Sequence, residues 1–335
     1  MRVTKLVFPG PYTVRYEDCE LNPEIVERDV LVETHYSLIS PGTELALYTG
    51  THVDLPNPNN RFAKFPFYPG YAAVGEVVAA GAGSGFRPGD RVFTGGHHAS
   101  HEVFQASEDA ILPLSDGLAP ELALFGRIAE ISMTSVLLSK VRKGDYVAVL
   151  GMGLVGNVAA QLFEQKGAIP IGIDVVPERL ELAKRTGLAQ VVLSGGEGAE
   201  LKGAVHEITG GKDPDIVVEA SGVPELVITA LELCRQLGQA ILLGSTRGLV
   251  TLNVYDLIHR KGISLTGAHA SLKGIEGLPT SGMLYKEALH MIETGALSVE
   301  PFITHRLPST EAKQAYELLL HNKDRACGVI LDWRA

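Results

Sequence analysis

The sequence predicts an α/β protein built from a doubly wound parallel sheet and a second, β-rich domain. Three observations carry that expectation. A strand, a G-x-G-x-x-G turn, a helix, a second strand and an acid follow one another from Tyr146 to Asp174. Strand-like and helix-like segments keep alternating from there to Gly267. The first 115 residues instead read as short strands broken by Pro and Gly clusters.

The apolar run Val147–Leu150 enters Gly151-Met152-Gly153-Leu154-Val155-Gly156, a helical segment stops at Gly167, and a second apolar run ends on Asp174. Each part suits a dinucleotide. Gly151 permits the tight turn, Gly153 lets a pyrophosphate approach the backbone, and Gly156 lets helix and strand pack closely. The helix N-terminus at Leu154 and Val155 offers free N–H groups and a partial positive charge to phosphate. Asp174, placed 18 residues after Gly156, is suited to accept hydrogen bonds from the adenosine ribose. A 2′-phosphate would meet that carboxylate with like charge, so NAD(H) is expected over NADP(H). Arg179, Ser221, Gly244, Ser245 and His269 are further cofactor candidates. The run is not a membrane helix: three glycines, Asn157 and Gln161 interrupt it where about 20 nearly unbroken apolar residues are needed.

The alternation continues with strands expected at Val191–Leu193, Ile216–Glu219, Ala240–Gly244 and Ser264–Gly267. Helices are expected at Pro177–Thr186, Glu200–Thr209 and Pro224–Leu237. With the two strands of the glycine motif this makes a six-stranded parallel sheet of the Rossmann kind. Before it, Val30–Ser37, Gly75–Gly81 and Arg91–Thr94 read as strands of an irregular barrel, and helical periodicity covers Ala119–Lys140. After it, a helix from Ser281, a strand near Phe302–His305, a helix at Thr310–Leu320 and a strand at Gly328–Leu331 are expected to pack back on the N-terminal domain.

Length and composition set outer bounds. The 335 residues suit about two domains, with 45% hydrophobic and 20% charged residues as in soluble globular proteins. A net charge of −10 argues against nucleic acid, which needs clustered Lys and Arg. Three scattered cysteines do not make a disulfide framework, and the N-terminal residues lack a signal-peptide core. A cytoplasmic location without membrane attachment is expected.

The layout resembles the medium-chain dehydrogenase/reductase superfamily of zinc alcohol, sorbitol and threonine dehydrogenases. The residues that carry the resemblance are Gly70-Tyr71-Ala72-Ala73-Val74-Gly75-Glu76-Val77, Phe86-Arg87-Pro88-Gly89-Asp90-Arg91-Val92, the glycine turn, Glu219-Ala220-Ser221-Gly222 and Ile303-Thr304-His305-Arg306-Leu307-Pro308. The resemblance implies a GroES-like catalytic domain from residues 1–126 and 271–335, with a Rossmann domain over 127–270. It also implies a homodimer or homotetramer, with dimerisation through the edge of the Rossmann sheet.

The zinc ligands of that family are not matched. Where zinc members carry a Cys-Gly-Thr-Asp-like segment, this chain reads Ser40-Pro41-Gly42-Thr43-Glu44. Tyr71 stands for the histidine of Gly-His-Glu, and Gly126-Arg127 fall at the last ligand. Proline, glycine and arginine cannot coordinate zinc, and a neutral tyrosine is a poor ligand. No cysteine lies between Cys19 and Cys234, so the four-cysteine lobe is missing too. No metal is expected. Ser40-Pro41-Gly42-Thr43-Glu44-Leu45 and the His98-Ala99 pairing are similar to a zinc-lacking branch near bacteriochlorophyllide and sugar or polyol dehydrogenases.

Without zinc, side chains must polarise the carbonyl and carry the proton. Thr43 matches the family's relay hydroxyl, or is a turn threonine satisfying its own backbone. Tyr71 either points its phenol at the substrate oxygen or plugs the vacated metal site. Arg127 either holds a substrate oxygen through its planar fork or forms a structural pair with Glu130 or Glu44. His98, in a loop with His97 and His101, is a candidate general acid–base or substrate contact. The reaction expected is zinc-independent, NAD(H)-dependent interconversion of a secondary alcohol and a ketone on a small hydroxylated molecule such as a polyol, cyclitol or sugar derivative. The alternatives are an NAD(P)H-dependent quinone or enone reductase and a non-catalytic NAD(H)-binding redox sensor.

Overall fold

The computed structural model describes residues 1–21, 24–107, 109–194 and 198–335. The chain divides into two compact units. The first comprises Met1–Arg127, Thr280–Thr294 and Ile303–Ala335; the second comprises Ile128–Pro279 and Gly295–Phe302.

The first unit opens with β1 (Arg2–Val7) and β2 (Arg15–Glu20), an antiparallel pair that the sequence reading did not anticipate. There follow β3 (Asp29–Leu38), the short helix α1 (Thr43–Tyr48), β4 (Ala73–Ala80), β5 (Arg91–Thr94), β6 (His101–Gln105) and β7 (Ile111–Pro113). The helical periodicity over 119–140 corresponds to two helices, α2 (Pro120–Ala123) and α3 (Gly126–Leu137), of which α3 from Ile128 onward belongs to the second unit.

The second unit holds β8 (Tyr146–Leu150), α4 (Leu154–Gln165), β9 (Ile169–Asp174), α5 (Pro177–Arg185), β10 (Gln190–Leu193), α6 (Ala199–Thr209), β11 (Ile216–Glu219), α7 (Leu226–Leu233), β12 (Gln239–Leu242) and β13 (Ser264–Gly267). All five neighbouring strand pairs are parallel, in the order β10-β9-β8-β11-β12-β13. This is the expected doubly wound sheet, with its reversal of strand order between β8 and β11. Its central strands are near-continuous apolar runs because both faces are covered. Val147, Val149, Ile216 and Val218 belong to one buried cluster, and Ala148, Leu150 and Val217 to the other.

The remaining elements are α8 (Ser281–Glu293), β14 (Ile303–Pro308), α9 (Ala312–His321) and β15 (Gly328–Asp332). They complete the first unit. Its sheet runs β14-β15-β3-β4-β5-β7, with β6 also paired to β3. β15 lies parallel to β14 and antiparallel to β3. The core between this sheet and α9 is built from Leu6, Phe8, Leu47, Tyr48, Tyr316 and Val329, all fully buried.

The domain limits drawn from the sequence differ from these units at Arg127, which belongs to the first unit, and over two longer segments. Residues 271–279 and 295–302 were expected in the catalytic domain and instead belong to the second unit. The contacts explain both. Lys273 forms a buried ion pair with Glu130 of α3, and Ser298 exchanges two hydrogen bonds with Gln161 of α4, at 2.8 and 3.1 Å.

Candidate active site

In the second unit the glycine turn between β8 and α4 is shaped as the motif requires. Gly151 sits at φ +97°, where an L side chain is strained, and a Cβ there would lie 3.0 Å from the Ser221 nitrogen. A Cβ on Gly156 would lie 1.9 Å from the Gly151 carbonyl oxygen, so helix and turn touch only because that position is glycine. A Cβ on Gly153 would meet nothing within 4 Å. The backbone there is open.

Gly153 is also the N-cap of α4, and no side chain caps that end. The N–H groups of Leu154 and Val155 belong to the first helical turn, which has no intrahelical acceptor. Such an uncapped end is suited to an anion such as phosphate.

Asp174 ends β9 and is 5% exposed. Its carboxylate accepts from the Met152 N–H at 2.7 Å and the Val176 N–H at 2.9 Å. An ionised carboxylate has about four acceptor positions, so capacity remains for ribose hydroxyls. Arg179 on α5 places Nη1 3.6 Å from Asp174 Oδ2.

The other cofactor candidates lie on loops after β11, β12 and β13. Ser221 and Gly222 are bound to the carboxylate of Glu219, the last residue of β11. A Cβ on Gly222 would lie 2.9 Å from the Ser245 carbonyl oxygen, and one on Gly244 would lie 2.4 Å from the Gly222 nitrogen. His269 is exposed, and its Nδ1 accepts from the Ser271 N–H at 3.1 Å. In a neutral ring that leaves the hydrogen on Nε2, making His269 an outward donor. The preceding Ala268 is tied to α3 by a 2.8 Å bond from the Thr134 hydroxyl to its carbonyl.

In the first unit Tyr71, Arg127 and Glu44 come together with two residues that the sequence reading missed, Ser40 and Tyr285. The Arg127 guanidinium lies 5.0 Å from the centre of the Tyr71 ring. Its Nη1 donates to the Tyr285 hydroxyl at 2.6 Å. Burial pushes the Tyr71 phenol well above its ordinary value, against the opposing pull of its hydrogen bond with the Ser40 side chain and of Arg127. The phenol therefore stays protonated at neutral pH. Burial likewise raises Tyr285, again opposed by Arg127. Ser40 lies just before α1, and Tyr285 on α8 comes from far along the chain; no local spacing signals either one.

Glu44 and His98 are part of a second, fully enclosed network. His98 is 0% exposed, with Nδ1 2.8 Å from Ser37 Oγ and Nε2 3.1 Å from Glu44 Oε2. Trp333 Nε1 donates to the same Ser37 hydroxyl at 2.9 Å. Glu44 accepts from the Ser40 N–H at 3.1 Å and from the Tyr316 hydroxyl at 2.5 Å. His98, the candidate acid–base or substrate contact, has both ring nitrogens engaged by buried protein groups. Glu44, buried and held from three sides, supports the Ser40 backbone. Thr43 is half-buried at the start of α1. Glu130, one of the two partners considered for Arg127, is ion-paired with Lys273.

At the positions that the resemblance assigns to the zinc ligands, Pro41 has no side-chain donor and Arg127 is a cation. Among the described residues no group of three or more His, Cys, Asp and Glu side chains is placed to hold a metal. No helix among them is long and apolar enough to cross a membrane.

A doubly wound sheet bearing this glycine turn, joined in one chain to a mixed sheet bearing a cluster of neutral and cationic donors, defines a two-domain dehydrogenase architecture. Comparison with known proteins specifies it. The alcohol dehydrogenase GroES-like domain matches residues 26–109, and the zinc-binding dehydrogenase family matches residues 155–280. The 2-desacetyl-2-hydroxyethyl bacteriochlorophyllide A dehydrogenase of Cereibacter sphaeroides is 28% identical over 348 residues, covering 100% of this chain and 99% of the relative. The erythritol/L-threitol dehydrogenase of Mycolicibacterium smegmatis is 26% identical over 232 residues, 69% of this chain and 60% of the relative. Among solved structures, an alcohol dehydrogenase from Thermus sp. ATN1 superposes with a TM-score of 0.79 at 25% identity, covering 99% of both chains. The chain belongs to the medium-chain, alcohol dehydrogenase-like superfamily of oxidoreductases.

Proposed function

We propose that the protein is a zinc-independent, NAD(H)-dependent dehydrogenase that interconverts a secondary alcohol and a ketone on a small hydroxylated substrate, a polyol, cyclitol or sugar derivative. The observation that carries this reading is the Tyr71–Arg127 pair, which stands where the superfamily's zinc ligands would be. The polyol names among the relatives support the substrate class.

When bound, NAD(H) supplies or accepts the hydride. Gly151, Gly153 and the first turn of α4 would hold its pyrophosphate, and Asp174 would hold the adenosine ribose. The remaining chemistry falls to Tyr71 and its neighbours. A phenol kept neutral by burial donates a hydrogen bond to a ketone oxygen and gives up its proton as the carbonyl is reduced; alcohol oxidation, the reverse step, needs the deprotonated phenolate to take that proton back. Arg127 over the ring steadies negative charge on the phenol oxygen as the proton moves. Ser40, hydrogen-bonded to the phenol, offers the next hydroxyl, and Thr43 is a second relay candidate. Glu44 and His98 act from behind by fixing Ser40.

The test pairs metal analysis of purified protein with an NAD-coupled screen of polyols, cyclitols and sugars, with and without chelator. Chelator-insensitive NADH formation without stoichiometric zinc is expected. Tyr71→Phe should lower kcat about a hundredfold while leaving NADH affinity near wild type. Stoichiometric zinc with chelator-sensitive turnover would overturn the mechanism.

A second reading, quinone or enone reduction with NADPH, has one observation in its favour. Arg179 is a cation beside Asp174 and would meet a 2′-phosphate. Asp174 opposes that reading, because the same phosphate would face its carboxylate. NADPH binding tighter than NADH in a direct titration would move the assignment to it. Self-association as a homodimer or homotetramer completes the proposal, with β13 as the edge strand of the parallel sheet; light scattering on the intact protein checks it.

A further inference from the structure

We propose that Glu219 is a positioning residue of the dinucleotide cradle, clamping the loop after β11 to the loop after β12 and, through Ser221, bracing the glycine turn. The proposal rests on the dinucleotide reading above and assigns a role to a residue outside the G-x-G-x-x-G motif.

Glu219 ends β11 and is 0% exposed. In the sheet it lies opposite Leu150, the last residue of β8, and Leu242, the last residue of β12. It therefore stands beside the reversal of strand order, where a doubly wound sheet takes its ligand. A carboxylate buried there is costly unless its oxygens are satisfied.

They are satisfied from two loops. Oε1 accepts from the Ser221 N–H at 2.7 Å, from the Gly222 N–H at 2.9 Å and from the Ser221 hydroxyl. Oε2 accepts from the Thr246 hydroxyl at 3.1 Å. One residue thus serves two main-chain donors of the first loop and a side-chain donor of the second.

The clearances around it leave the loops little freedom. A Cβ on Gly244 would lie 2.8 Å from Glu219 Oε2 and 2.4 Å from the Gly222 nitrogen. Ser221 in turn backs Gly151, where a Cβ would lie 3.0 Å from the Ser221 nitrogen. The chain of contact therefore runs from the carboxylate to Ser221 and on to the turn that takes the pyrophosphate. Asp174 and its ribose site lie on the other side of that turn, bound to Met152 and Val176 and not to Glu219.

The two halves of the cofactor should consequently respond differently. Removing the clamp loosens the second half of the cradle and the pyrophosphate turn, while the adenosine site keeps its own bonds. A merely structural role would weaken both halves together.

The experiment titrates NADH and 5′-AMP into the full chain, wild type, Glu219→Ala and Glu219→Gln, with melting temperature measured alongside. For Glu219→Ala, NADH affinity should fall by about tenfold or more, since buried donors lose their acceptor. AMP affinity should stay within about twofold, as none of its contacts is removed. Glu219→Gln keeps one oxygen for the Ser221 and Gly222 N–H groups and should show a smaller, several-fold NADH loss. If the alanine variant does not fold, the glutamine variant decides: a several-fold NADH loss with AMP retained supports the clamp. Wild-type NADH affinity in every folded variant, or equal losses for NADH and AMP, overturns it. A wild-type protein that binds neither ligand would instead refute the dinucleotide reading.

Discussion

In the second unit the groups proposed to meet a dinucleotide's phosphates and ribose lie between Gly151 and Asp174, and most of them are backbone. In the first unit the Tyr71 cluster and the buried network beside Glu44 are side chains drawn from Ser37, Ser40, Glu44, His98, Arg127, Tyr285, Tyr316 and Trp333. The first arrangement depends on what is missing, namely Cβ atoms at Gly151 and Gly156. The second depends on buried polar groups that must all find partners at once. The two should therefore fail in different ways when altered.

The largest effect is expected at Gly156. An added Cβ 1.9 Å from the Gly151 carbonyl oxygen cannot be absorbed by a side-chain rotation, because both atoms are held by the backbone. Gly156→Ala should weaken NADH binding about a hundredfold, the upper range of an overpacking penalty. Calorimetric NADH titration measures it, and retained wild-type affinity would break the comparison on its backbone side.

A smaller effect, on a different observable, is expected at His98. His98→Ala strands Ser37 and Glu44 in the interior and should cost about 2 kcal/mol of stability in urea unfolding. NADH affinity should be unchanged, because every cradle contact lies in the other unit. An equal fall in affinity would show the two regions to be one energetic system.

The smallest effect is expected at His97, whose ring contacts Glu102 at 2.8 Å on the surface side of the same loop. The hydrogen bond to Glu102 raises His97 above its ordinary 6.5, with burial opposing. Burial raises Glu102, but its bond with His97 outweighs that and holds it below 4.5. A raised histidine contributes fully below its unfolded value and loses that contribution as pH rises through its folded one. A lowered carboxylate contributes above its unfolded value and loses that as pH falls. The pair thus stabilises most between 4.5 and 6.5. Since the His97 side chain is 50% exposed, solvent screening limits the gain to under about 1 kcal/mol. The melting-temperature difference between wild type and His97→Ala should shrink from about pH 5.5 to about pH 8.5.

The same contrast explains what could be read from the chain beforehand. The nucleotide unit was legible because its function is written in local spacing: glycines three and two apart, an acid at the end of the next strand, and apolar runs of strand length between them. Ile216–Glu219 and Ser264–Gly267 were placed to the residue. The pairing of β1 with β2 was not foreseen, since β2 is exposed throughout and carries no alternation. Ser40, Tyr285 and the anchoring of Glu219 were hidden for another reason. Each acquires its role only when a distant segment is packed beside it. His98 was singled out for its chemistry, yet its surroundings make it a strut; burial and partners are tertiary facts.

The placement of β15 has a consequence for biosynthesis. β15 lies between β14 and β3, and Trp333 just beyond it bonds Ser37. A ribosome emits the six parallel strands in one uninterrupted stretch, so the nucleotide-binding unit can assemble while translation is still under way. The unit begun first must wait, with the Tyr36–Leu38 end of the β3 edge unpaired, until residues 328–332 emerge. Nascent chains stalled before that point would expose an open sheet edge, the kind of surface that chaperones recognise and that aggregates recruit.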